Sequence, residues 1–200
     1  MRSLETTEQA RAVLDAALAD FCNDFNQQMV TPILEADVAG YLYHRIVANG
    51  CPLNMVYLAT RVCGEAARTR KLDIVIGTLN ESAACIAPLL ICELKVFQRW
   101  GHTDQQMNHR FSGLLAENLP SLQQAAKVLP LGRLAIVADL FASRQRRGYL
   151  AGTCDGQSRK DVIAAKCKEI GATFIWIHPE AAADDITCEI VCDANERTAA

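Results

Sequence analysis

No stretch of this chain reaches the ~18 uninterrupted apolar residues that a membrane-spanning helix needs, so no membrane partner is expected. A basic excess is also missing. With 20 Lys and Arg against 23 Asp and Glu, the formal net charge is −3, which excludes coating of nucleic acid by bulk electrostatics and confines any phosphate-binding surface to a local patch. Residues Met1 to Ala10 carry Glu5, Glu8 and Gln9 and no apolar run, unlike a secretory signal. Internal repeats and low-complexity segments are absent. So are a Gly-x-Ser-x-Gly elbow, a phosphate-binding P-loop, a dinucleotide glycine pattern and a His-Glu-x-x-His pair, so none of those chemistries is indicated. The four histidines, His44, His102, His109 and His178, show no zinc spacing. Cys188 and Cys192 stand ~13 Å apart along a strand, too far to share one ion.

What is present fits one compact domain: half of the 200 residues are apolar, and a chain of this length buries roughly 70% of the surface it would expose unfolded. The nine cysteines are odd in number and sit mostly in apolar runs. They read as reduced core thiols of a cytoplasmic protein.

Leu14, Leu18, Phe21 and Phe25 recur at helical spacing within a long amphipathic helix over Leu4 to Gln28. A second helix is expected to open at Thr31-Pro32, run through Leu34, Val38, Leu42 and Ile46, and stop at Asn49-Gly50, with Glu35 and Asp37 in its first turns. Three short runs rich in Val, Ile, Leu and Cys then read as strands over Met55 to Val62, Leu72 to Gly77 and Pro88 to Phe97. Their short links favour an antiparallel meander. Helical spacing returns from Thr103 to Leu119, is interrupted by Pro120 and resumes to Leu129. A strand over Leu134 to Phe141, a helix over Ser158 to Ile170 closed by Gly171, a strand over Thr173 to His178 and an edge strand over Asp185 to Cys192 complete the chain. This order predicts an α/β fold with a mixed central sheet, a three-strand meander plus later strands, flanked by helices.

The third strand interrupts its apolar run with an acid and a base two residues apart. Glu93 and Lys95 therefore leave it on one face, ~7 Å apart along the strand. Burying such charges costs several kcal/mol per ion, an estimate for groups without partner or metal. If the second and third strands form a hairpin turning near Ala83, facing residues have numbers summing to about 166, and Asp73 lies opposite Glu93 with side chains ~5 Å apart. Two carboxylates that close repel unless a cation sits between them. An oxygen-rich gap suits Mg²⁺ or Mn²⁺, and a lysine beside it can orient a water and offset charge growing on a phosphate. Glu35 is a candidate third ligand or water-positioning base, although an acid in a first helical turn is favoured anyway. Lys71, next to Asp73, is the better of the basic candidates for phosphate contact. Arg68 and Arg70 precede it, and Arg144, Arg146 and Arg147 form a second basic group after the fourth strand.

Taken in order, Glu35 on a helix, Arg-Lys-Leu-Asp73-Ile-Val-Ile, Ile-Cys-Glu93-Leu-Lys95-Val and a helix opening with Asp104-Gln105-Gln106 resemble the PD-(D/E)XK nuclease superfamily over about residues 31 to 141. The resemblance implies a restriction-endonuclease-like fold in residues 31–200, with residues 1–30 as a helical extension packed on the core. It implies divalent metal on Asp73, Glu93 and Glu35, water activation by Lys95, and a supporting glutamine matching Gln106 or Gln105. No proline precedes Asp73, and Arg110 stands where a tyrosine often follows the helical glutamine; Arg110 and Arg70 join Lys71 as candidate nucleic-acid contacts. The expected activity is Mg²⁺- or Mn²⁺-dependent phosphodiester hydrolysis, in DNA before RNA, with a homodimer as one way to cut both strands. The alternative is a nuclease-fold protein without activity that binds a nucleic acid or a protein partner.

Overall fold

A computed structural model describes residues 3–31, 34–62, 71–98, 103–125, 132–140, 148–180 and 185–194. Pro32, Arg68, Arg70, His102, Arg144, Arg146 and Arg147 lie outside the described residues, as does the end of the helix expected to reach Leu129.

Helix α1 (Thr7–Asn26) opens on a capping box in which Thr6 and Gln9 each accept the other's backbone N–H. Helix α2 (Glu35–Ala48) begins later than the Thr31-Pro32 signal suggested. Asp37 Oδ2 accepts the Leu34 N–H at 2.7 Å, so the cap is supplied from inside the first turn and helix begins there. Buried Asp24 of α1 accepts from the Tyr41 hydroxyl at 2.6 Å and from the Arg45 guanidinium, fastening α2 to α1.

Strands β1 (Val56–Thr60), β2 (Leu72–Asn80) and β3 (Cys85–Phe97) form the antiparallel meander. Helix α3 (Asp104–Gly113) passes through a π turn at Leu114–Asn118 into α4 (Leu119–Ala125). Pro120 has no N–H for the carbonyl one helical turn back, and the Leu119 N–H reaches Leu114 O instead, which widens the helix locally. Strand β4 (Arg133–Asp139) follows. A two-stranded ribbon, β5 (Thr153–Cys154) with β6 (Gln157–Ser158), turns on Asp155-Gly156, both at positive φ. Helix α5 (Arg159–Ile170) starts at the Ser158 cap and ends on left-handed Gly171, and β7 (Thr173–Pro179) and β8 (Ile186–Cys192) close the chain.

The six-stranded sheet has the order β1-β2-β3-β4-β7-β8, with β3-β4 and β4-β7 parallel and the other pairs antiparallel. It is the mixed, helix-flanked sheet the sequence predicts. Central β4 is apolar and buried on both faces from Leu134 to Ala138 because helices cover both sides of it. Even-numbered residues such as Ile74, Leu90, Leu94 and Ile136 pack under α1 and α2. Odd-numbered residues such as Val75, Ile91, Phe97 and Val137 pack under α3, α4 and α5, with Phe111, Leu122 and Ile163. The apolar stripe of α1 (Leu14, Leu18, Phe21) is buried within this same chain. Among the described residues no helix is long and apolar enough to cross a membrane.

The cysteine expectation needs one correction. Cys22, Cys51, Cys92, Cys167 and Cys192 are buried thiols, but Cys188 is exposed and Cys85 is in a disulfide. A single strand-end cysteine carries no pattern that distinguishes thiol from bridge.

The β2-β3 register shifts between Ile76 and Gly77, opposite Pro88. The ladder to β4 starts only at Ile91, so Pro88 forfeits no bond to it. A Cβ on Gly77 would stand 2.3 Å from Ala87 O and 2.7 Å from Pro88 Cα, and backbone atoms cannot step aside. Gly77→Ala is therefore expected to lower the unfolding free energy by ~1–3 kcal/mol, the usual range for overpacking. A urea midpoint equal to that of the parent would show that this close approach is dispensable.

Candidate active site

The meander brings the two strand acids together. Below the bulge the pairs Ile74↔Cys92, Val75↔Ile91 and Ile76↔Leu90 all have the predicted sum. One step further along the same register lie Asp73 and Glu93. There the strands part: Ile74↔Cys92 is the last β2-β3 pair at this end, while β3 runs on beside β4 through Lys95↔Val137 to Phe97↔Asp139. Past that point, the N–H groups β3 turns away from β4 meet carboxylates. Leu94 N–H donates to Asp73 Oδ2 at 2.8 Å and Val96 N–H to Glu35 Oε2 at 3.3 Å. The acids thus satisfy a strand edge that would otherwise be unpaired.

Glu93 is only 2% exposed. The Asp73 carboxylate lies beside its carboxyl, and its Oε2 accepts the Asn118 amide at 2.9 Å. Its Oε1 is buried and meets no hydrogen-bond donor. Burial, then the adjacent Asp73 charge, push the Glu93 carboxyl up to about 8. Burial likewise raises Asp73 against the lowering effect of the Leu94 N–H. Two adjacent acids, one of them buried with an orphaned oxygen, require either a proton or a cation, and a donor set made of carboxylate oxygens fits a hard divalent ion.

Lys95 leaves β3 on the same face as Glu93, with its side chain 14% exposed. Its Nζ lies 3.2 Å from Glu35 Oε2, and the Arg110 guanidinium approaches the same oxygen at 3.0 Å. The structure therefore places Glu35 at the site but between two cations. Among the described residues no three His, Cys, Asp or Glu side chains are grouped to hold an ion, so Asp73 and Glu93 stand as a pair without Glu35 as a third ligand. Gln106 also sits elsewhere than the resemblance implied. Its Oε1 accepts the Thr103 N–H at 2.8 Å and closes the α3 capping box on an exposed turn. Lys71 is exposed immediately before β2. Arg110 is half-buried beside Glu35.

The residue that sequence reasoning missed is Asn118. It ends the π turn, whose extra residue per turn aims the amide back at β3. Pro120 inside a helical pattern was the available signal, because a proline there forces the backbone to deviate nearby. Beside Lys95 and Asn118 opens a cavity of about 310 Å³, also lined by His109, Arg110, Gly113 and Ala116. A second, of about 450 Å³, shares His109 and Arg110 and continues past Gln105 and Gln106.

Comparison of the chain with family models, with curated proteins and with solved structures finds no match.

A raised carboxyl stabilises the fold while it holds its proton. Its contribution is complete below the ordinary value of 4.5 and is lost as pH rises through about 8. Without divalent ion, the melting temperature is expected to fall across this window, and Glu93→Gln is expected to flatten the fall and melt higher at its alkaline end. A Gln variant with the parent's pH profile would place the titration elsewhere.

Proposed function

We propose that this chain is a divalent-metal-dependent nuclease with a PD-(D/E)XK-like core, hydrolysing phosphodiester bonds in DNA in preference to RNA. The observation that carries this reading is the meeting of Asp73 and Glu93 at the point where β2 and β3 part, with Lys95 on the same face. Asp73 and Glu93 are the residues that would hold Mg²⁺ or Mn²⁺. A bound ion would supply Lewis-acid polarisation of the phosphate and cancel the repulsion within the pair. Asn118 fixes the orientation of the Glu93 carboxyl. Lys95 Nζ, kept in place by Glu35, donates to the attacking water and offsets negative charge growing on the phosphate oxygens. As the water oxygen bonds to phosphorus, the bond from phosphorus to the departing sugar oxygen breaks in line, and the proton lost by the water reaches the departing oxygen through solvent. Arg110 and exposed Lys71 contact flanking phosphates.

A second reading has its own support: Glu35 is held by both Lys95 and Arg110, which leaves the acid pair without a third carboxylate. That arrangement also suits a nuclease-fold protein that binds nucleic acid or a protein without cutting.

The two readings separate on a melting curve and a cleavage assay. For the nuclease, Mg²⁺ or Mn²⁺ is expected to raise the melting temperature of the parent, by an amount that grows with concentration, and to raise that of Asp73→Ala far less. Cleavage of DNA is expected to vanish with EDTA and to drop at least ~100-fold in Lys95→Ala, the scale for loss of a group that stabilises transition-state charge. Full activity of Lys95→Ala and Glu93→Ala, or no metal-linked stabilisation of the parent, would remove the nuclease assignment.

A further inference from the structure

We propose that the site engages an unpaired nucleic-acid strand, threaded along α3 toward Lys95, and not an intact double helix. This rests on the nuclease reading and specifies its substrate class. Glu93 is recessed: it is 2% exposed, and the π turn lies over it through Asn118. Lys95 and Asn118 line the inner cavity, and His109 and Arg110 line both cavities, so the two spaces adjoin along α3 and the inner one ends beside Lys95. At about 310 Å³ the inner space matches the lower end of pockets that take small molecules, roughly 300–1,000 Å³. One nucleotide unit is of that size.

A duplex carries its phosphates on ridges beside grooves roughly 12 and 6 Å wide, so the groups that meet them must protrude. Here they are sunk. A flexible single strand can instead place its phosphates against Arg110 and Lys95 while a base lies on the exposed His109 ring, the combination of cation and stacking platform that suits unpaired strands.

Gly113 supplies an independent observation. It closes α3 with ordinary helical dihedrals, φ −63° and ψ −38°, and a Cβ there would meet nothing within 4 Å. Neither backbone strain nor packing requires glycine at this position, where glycine weakens a helix by about 1 kcal/mol relative to alanine. What the missing side chain does preserve is the open volume beside Lys95.

The test uses the full chain and the variant Gly113→Leu, whose side chain fills the inner cavity and whose helix propensity is higher. Fluorescence anisotropy in EDTA measures binding of short labelled DNA and RNA single strands and of a blunt DNA duplex of the same sequence. Cleavage of single-stranded, linear duplex and closed circular DNA is followed with Mg²⁺. The parent is expected to bind single strands at least ~10-fold tighter than duplex, and Gly113→Leu to lose roughly 10-fold for single strands only, the scale of one stacked base. The variant's helical content and Mg²⁺-linked rise in melting temperature should match the parent's. Equal affinity for duplex, efficient cutting of closed circular duplex, or an unaltered Gly113→Leu would each overturn the strand preference while leaving the nuclease reading in place. Preferential binding of single strands without any cleavage would remove the nuclease reading and leave the threading path standing.

Discussion

Everything distinctive in this molecule follows from one constraint: β2 stops accompanying β3 before β3 has finished. A central strand that outruns its neighbour exposes backbone N–H groups that cannot stay unpaired inside a protein. Two carboxylates fill the role, Asp73 from the departing strand and Glu35 from the first residue of α2. Each acid is thereby fixed by the main chain, and each brings negative charge next to the face that carries Glu93 and Lys95. The local electrostatics are a by-product of satisfying a sheet edge.

That constraint also explains how far the sequence could be read. The hairpin register was legible because the charged residues stand in otherwise apolar runs, and alternation ties each to a face. Ile74↔Cys92 confirms the sum that places Asp73 near Glu93. The six-strand mixed sheet was legible for the same reason, through strong apolar periodicity and turn residues such as Gly171 and Asn49-Gly50. The strands then follow one another across the sheet in chain order, but the switch to parallel pairing at β3-β4 and β4-β7 is set by tertiary packing that no local pattern encodes.

What stayed illegible was decided by backbone groups and not by side-chain periodicity. Thr31-Pro32 is a sound helix-start signal, yet Asp37 caps the Leu34 N–H and sets the start there. Gln106 fits a site motif in the sequence, but a glutamine three residues after a threonine cap is also the second half of a capping box, and α3 uses it so. Asn118 has no motif at all, and its aim depends on the π turn that Pro120 imposes. The β5-β6 ribbon went unread, because strands of two residues are too short for alternation to show.

The position of β4 has a kinetic side. The hairpin of β2 and β3 is local in sequence and needs only a small loop to close, whereas β4 must dock from beyond the whole α3-α4 segment before Glu93 is sealed from water. Until that docking the two acids sit in solvent, where their repulsion is weak. The pair's cost therefore belongs to the closed molecule, and water reaching Glu93 relieves it.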